Sequence, residues 1–159
     1  MPKLHTHPTI VLGSDHGGYV LKEVIKDFLL SLDYPVEDKG DFSGGNADDY
    51  PDFVIPAAEA VVKSRGKKLG IVLGGTGIGE CIAANKVRGA RAALIYDQYT
   101  AEKSKEHNDA NIICLGGRTV TKDLEFAKRL VRIWLETKLS SNPRYRRRIK
   151  KVAAYEAKH

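Results

Sequence analysis

Two cysteines and a single methionine in 159 residues leave little material for redox chemistry. Cys81 and Cys114 are too few for a disulfide framework, and each has apolar or glycine neighbours, as a reduced, partly buried thiol does; a reducing compartment is expected. No apolar run approaches the roughly 20 residues of a membrane span, and the first nine residues carry no apolar signal segment, so the expectation is a soluble, cytoplasmic protein with no membrane partner. There is no Gly-x-Ser-x-Gly nucleophile turn, and no run of His, Cys and carboxylates has metal-ligand spacing; neither a metal nor a cofactor is expected. Internal repeats, low-complexity segments and linkers are missing too. With 42% apolar residues the chain fits one domain, 1–159, of which 1–8 read as a flexible tail.

Excess charge is also lacking over most of the chain. The net charge is +6, but residues 138–159 hold eight Lys or Arg against one acid, Glu156, so the rest sums to −1. The basicity belongs to a tail. Without interleaved aromatics or a recognisable module, that tail does not read as a nucleic-acid surface.

What is present is an alternation. The β-branched run 9–12 ends in Gly13-Ser14-Asp15-His16-Gly17-Gly18 and reads as a buried strand with a loop at its carboxyl end. Leu21, Val24, Ile25, Phe28, Leu29 and Leu32 then recur at helical steps. A second strand is expected within 34–40, a loop over 41–50, and a helix from Pro51 with Phe53, Ala57, Ala58, Val61 and Val62 inward. Strands at 69–73, 91–96 and 110–115 follow, with helices at 80–86 and from Thr100 to about His107 between them. A helix carrying Leu124, Ala127, Leu130, Val131, Trp134 and Leu135, capped near Thr121, precedes a basic helix over 142–157 with only Ile149, Val152, Ala153 and Tyr155 to bury. So thin a face suggests packing on a partner subunit. The fold expected is α/β: a Rossmann-like three-layer α/β/α sandwich on a five-stranded parallel sheet, with ligands outside the carboxyl ends of the strands.

The polar clusters fall there. Asp15-His16 follows the first strand, Gly74-Gly75-Thr76-Gly77-Ile78-Gly79-Glu80 the third and Gly117-Arg118 the fifth. The glycine run lacks a Gly-Lys-Ser/Thr ending, and glycines 75, 77 and 79 miss the G-x-G-x-x-G spacing, which argues against nucleotides. Two readings of it stand: a tight turn with Glu80 as a favourable charge at a helix start, or a cradle of amides for an oxyanion with a base beside it. Asp15 is equally a cap for the next helix, His107 an ordinary helix-terminal histidine, Cys81 a buried thiol, and the arginines 144, 146, 147 and 148 a solvated face. Arg144 and Arg148, four apart, also suit one phosphate. His107-Asn108-Asp109 enters a strand instead of leaving one, so it belongs at the opposite edge of the sheet. A site drawing on both edges needs two chains. The combination points to acid/base chemistry on a small phosphorylated molecule.

Read together, Gly13 to Gly18, Asp49-Tyr50-Pro51, the run GGTGIGECIAANKVRGARAAL from Gly74, His107-Asn108-Asp109-Ala110-Asn111, Gly116-Gly117-Arg118 and the terminal RYRRRI resemble the type B ribose-5-phosphate isomerase family, which also holds the galactose-6-phosphate isomerase subunits. The resemblance runs from Ile10 to about Glu156. It implies interconversion of ribose 5-phosphate and ribulose 5-phosphate through an enediolate, in homodimers or dimers of dimers with sites at the subunit interface. It makes His107 the acid that opens the sugar ring and sets Asn108, Asp15 and Tyr50 near the sugar hydroxyls. The amides of Gly75, Thr76, Gly77, Ile78 and Gly79, with the Thr76 hydroxyl, would hold the enediolate, and His16, Arg118, Arg144 and Arg148 the phosphate. His107, Asn108 and Arg118 would come from the second subunit. Many members carry a cysteine base where this chain has Gly74, and in the branch this chain looks most like, the base is a glutamate matching Glu80. Cys81 is the alternative base, turned away by about 100° if Glu80 starts a helix. A six-carbon sugar phosphate as substrate, or a noncatalytic sugar-phosphate binder, are the other readings.

Overall fold

The computed structural model describes residues 7–120 and 123–159. Along the chain run β1 (Thr9–Ser14), α1 (Tyr19–Ser31), β2 (Val36–Asp38), α2 (Pro51–Lys63), β3 (Lys68–Gly74), α3 (Ile78–Ala84), β4 (Ala92–Leu94), α4 (Gln98–Asn108), β5 (Ile112–Gly116), α5 (Gly117–Val120), α6 (Leu124–Glu136) and α7 (Pro143–Glu156). All strand pairs are parallel, in the order β2-β1-β3-β5-β4.

Alternation along the central strands decides the layers. Ile10, Leu12, Ile71, Leu73, Ile113 and Leu115 face one side, packed with Leu21, Ile25 and Leu29 of α1, Ala101 of α4, and Leu130, Val131 and Trp134 of α6. Val11, Val72, Ile112 and Cys114 face the other, against Val54, Ala57, Ala58 and Val61 of α2 and Ala83 and Ala84 of α3. Because both faces are covered, these strands read as continuous apolar runs. Trp134 is wholly buried, and its indole N–H donates to the Ala110 carbonyl at 3.2 Å. The expected three-layer sandwich is the observed one. The order of strand addition reverses between β1 and β3, with β2 to one side and everything later to the other, which is where a crevice lies at the carboxyl ends of such a sheet.

Several boundaries differ from the sequence reading. Helix α3 starts at Ile78 because Gly77, at φ +79°, ends the turn early, so Glu80 lies within the first helical turn rather than opening the helix. In α2, Val54 is buried while Phe53 and Val62 are half-buried. Helix α6 is capped by Asp123, whose carboxylate accepts from Phe126 N at 2.9 Å; the cap expected at Thr121 falls outside the described residues. Of the 1–8 tail, His7 and Pro8 are described, and the His7 ring stacks on Tyr34 at 4.2 Å; the remainder lies outside the described residues. Among the described residues no helix is long and apolar enough to cross a membrane.

Candidate active site

Three strand ends build the crevice. At β1, Asp15 is nearly buried and its Oδ1 accepts from Gly18 N at 3.2 Å, tying the turn into α1. Asp15 thus does cap locally, yet it also faces the next group, Glu80. Here the close approach is at Gly74: a Cβ on that residue would lie 1.8 Å from Glu80 Oε1 and 2.1 Å from its Cδ. The glutamate carboxyl fills the space a side chain at 74 would need. Glu80 is 3% exposed. Burial raises its pKa, the amides of Glu80 itself and Gly77 pull it back, and the charge of Asp15 raises it again. A buried carboxylate with no lysine or arginine partner among the described ion pairs is a stronger base than an exposed one.

Around this carboxyl, the Tyr50 ring lies over Gly79, where a Cβ would come within 2.8 Å of it. Thr76 is exposed, and its Oγ1 accepts from Ile78 N at 3.2 Å. That engages the Ile78 amide and leaves the hydroxyl proton of Thr76 to be donated. Because the Gly77 amide faces Glu80, the expected set of oxyanion donors narrows to the amides of Gly75, Thr76 and Gly79 plus the Thr76 hydroxyl.

Arg118 corrects an expectation. The short helix α5, which sequence periodicity missed, starts directly at the end of β5, and Arg118 N donates to Gly75 O at 2.9 Å. Its guanidinium stands over Gly75 of the same chain, 3.1 Å from where a Cβ would be. It therefore serves its own chain's crevice, not a neighbour's. His16 lies close by. Its Nδ1 is 2.7 Å from Asp48 Oδ1, a bond that raises the imidazole pKa; burial opposes it, Asp15 adds to it and Arg118 lowers it. Asp48, absent from the sequence reading, comes from the loop before α2. Asp15, His16 and Asp48 offer ligand atoms within 4.8 Å of one another, so folding assembles a metal-sized grouping that linear spacing does not show. Its donors are already spent on each other and on Gly18, which fits a hydrogen-bonded clamp better than an open cation site.

Cys81 points elsewhere. Its Sγ lies 3.4 Å from the Ala92 carbonyl, and a hydrogen bond with Cys114 lowers its pKa to about 7 against burial, while Cys114 is pushed up by the same contact and by burial. The thiol is reactive in principle but faces β4 and β5 instead of the crevice.

The remaining expected residues gather at the amino end of the sheet. His107, at the end of α4, stacks on Tyr145 of α7 at 4.0 Å with Nε2 3.3 Å from Glu106. Asn108 and Arg148 line one 260 Å³ cavity between α7 and the start of β4, and Arg144 stands one turn earlier on the same helix. One chain therefore does not bring His107, Asn108, Arg144 and Arg148 to Glu80. This matches the separation inferred from the direction in which each cluster meets its strand.

The ribose/galactose isomerase family model matches residues 10–152. The chain belongs to the ribose/galactose isomerase family. Among relatives of this family, ribose-5-phosphate isomerase B of Mycobacterium tuberculosis is 44% identical over 94% of this chain and 91% of its own, and a putative sugar phosphate isomerase of Bacillus subtilis is 39% identical over 94% and 98%. Among solved structures, the Clostridium thermocellum ribose-5-phosphate isomerase B superposes with a TM-score of 0.87 at 47% identity, covering 94% of this chain and 98% of that one. The Mycoplasma genitalium enzyme, solved with bound ribulose 5-phosphate, reaches 0.90 at 38% identity over 95% and 97%.

Proposed function

We propose that this chain is a cytoplasmic aldose-ketose isomerase that interconverts ribose 5-phosphate and ribulose 5-phosphate without metal or cofactor, the whole of 1–159 acting as one domain. The observation that carries the reading is the buried Glu80 carboxyl, seated in the space left by Gly74 at the carboxyl end of β3 with no lysine or arginine partner among the described ion pairs. Glu80 removes the proton from the carbon beside the aldehyde and the electrons move onto the carbonyl oxygen, giving an enediolate; the hydroxyl proton of that neighbouring carbon passes to the former aldehyde oxygen, and as its C–O bond becomes the ketone carbonyl Glu80 returns its proton to the former aldehyde carbon. The amides of Gly75, Thr76 and Gly79 and the Thr76 hydroxyl stabilise the negative oxygen. Asp15 and Tyr50 contact sugar hydroxyls, while His16 and Arg118 bind the phosphate. His107 opens the ring and Asn108, Arg144 and Arg148 complete the pocket from a second copy, in a homodimer or a dimer of dimers.

A coupled assay on ribose 5-phosphate with chelator present tests this, with allose 6-phosphate as the six-carbon comparison. The wild type turns over the pentose phosphate, Glu80→Gln loses about 10²- to 10⁴-fold in kcat while still binding sugar phosphate by calorimetry, and Cys81→Ala stays active. Wild-type turnover in Glu80→Gln would sink the assignment of the base.

A further inference from the structure

The loop over 41–49 brings one carboxylate against His16 from 32 residues away. Asp48 Oδ1 accepts from the His16 backbone N–H at 2.9 Å and meets the ring Nδ1 at 2.7 Å, so a single oxygen grips both the chain and the imidazole of one residue. A carboxylate only accepts, so the short contact requires the proton on Nδ1; the alternative, Asp48 N donating to Nδ1, is longer at 3.4 Å. Nε2 has no protein partner among the described hydrogen bonds. Asp48 is itself backed by Asp41, which is held by the amides of Ser43 at 2.9 Å and Gly44 at 3.0 Å.

We propose that Asp48 is a positioning residue for phosphate recognition: it occupies Nδ1 of the His16 ring and leaves Nε2 to donate outward, so that His16 and Arg118 together receive the phosphate monoester of the substrate. This rests on the sugar-phosphate reading above and adds to it the residue that determines how the phosphate is held. Three charged groups face the imidazole: Asp48 from the loop, Asp15 from the end of β1, and Arg118 from α5. Two acids against one base leave the ring protonated above its ordinary range, where the phosphate is a dianion, its second pKa being about 6. The same grip holds the 41–49 loop beside the crevice, so the loop's place depends on the group that binds substrate. The two-point clamp on His16 parallels the carboxylates that fix the outer nitrogen of a working histidine in other sites.

The test uses the full chain, with steady-state kinetics on ribose 5-phosphate and NMR titration of the His16 ring, assigned by its loss in His16→Gln. Asp48→Ala raises KM and weakens inorganic phosphate binding by about tenfold, as expected for a lost charge-assisted contact, with kcat changed by less than about threefold. Its His16 titrates at lower pH than in the wild type. Asp48→Asn keeps an acceptor oxygen without the charge, so it restores KM at acid pH, and its KM then climbs with pH earlier than in the wild type. A wild-type KM and His16 titration in both variants overturns the proposal, as does a loss confined to kcat. If Asp48→Ala fails to fold, Asp48→Asn decides alone. Should the wild type prove inactive on ribose 5-phosphate, the functional reading falls, while the His16 titration against inorganic phosphate still decides whether Asp48 positions the ring.

Discussion

Because a Cβ on Gly74 would lie 1.8 Å from Glu80 Oε1, a side chain at 74 and a buried carboxylate at 80 compete for one volume. Gly74→Ala therefore pushes the carboxyl out of place, and a displacement of about 1 Å is enough for a loss in kcat on the order of 10²-fold, read in the same assay with a melt to show that the fold persists. Glu80 also carries a stability cost. Its folded pKa is raised, so the stability its protonated carboxyl contributes is complete below the unfolded value and is lost as pH rises through the folded one. Gln resembles the protonated form; Glu80→Gln should melt above the wild type at pH 8, and the gap should close as the pH falls into the ordinary carboxylate range. A gap of constant size, or of opposite sign, in thermal melts across pH contradicts the burial argument. Most of the crevice residues were legible because each glycine or acid sits at a strand end. Asp48 was not, since a carboxylate in a Gly/Asn/Asp-rich loop looks like loop composition until the fold seats it on His16.

At the level of elements, the long apolar stripes of α1 and α6 and the β-branched runs of β1, β3 and β5 declare themselves, since each buries one face or both. Short elements do not. Helix α5 is a single turn containing a glycine, too brief for any periodicity, although the place of Arg118 at the carboxyl end of β5 was legible without it. Strands β2 and β4, three residues each at the sheet edges, are shorter than the stretches 34–40 and 91–96 expected to hold them. Lys22 is the other surprise: a lysine within an amphipathic helix reads as solvent-facing, yet it is fully buried. Its ammonium meets the Asp38 carboxylate at 2.7 and 2.9 Å and Glu23 at 3.0 Å, and lies over the Tyr19 and Phe42 rings. Asp38 also accepts from Gly40 N at 2.9 Å, so this pair fastens α1 and β2 to the root of the 41–49 loop. Lys22→Ala leaves Asp38 with Lys26 at 3.1 Å and the Gly40 amide but removes its buried partner, which costs about 1–3 kcal/mol. At about 2–4 °C per kcal/mol for a chain of this size, the melting temperature should fall by about 2–12 °C; an unchanged melting temperature would show the pair to be idle.

Across the whole molecule, charge and exposure both concentrate at α7. It buries no residue fully, Val152 and Tyr155 stay 63% and 67% exposed, and its Arg148 lines a cavity with Asn108 instead of the carboxyl-end crevice. Chain direction alone separates the His107 cluster from Glu80, because one enters a strand and the other leaves one, and the fold keeps them apart. What a sequence of one chain does not carry is the symmetry operation that would join a crevice on one copy to the histidine of another. Each of Glu80→Gln and His107→Ala should be inactive by itself, since every site would lack one of its two working groups. Mixed in equal amounts and allowed to exchange subunits, half of the dimers become hybrids with one intact site, so isomerase activity should return to about a quarter of the wild-type value. No recovery in a mixture that native mass spectrometry shows to contain hybrid dimers would contradict a site completed by a second copy of the chain.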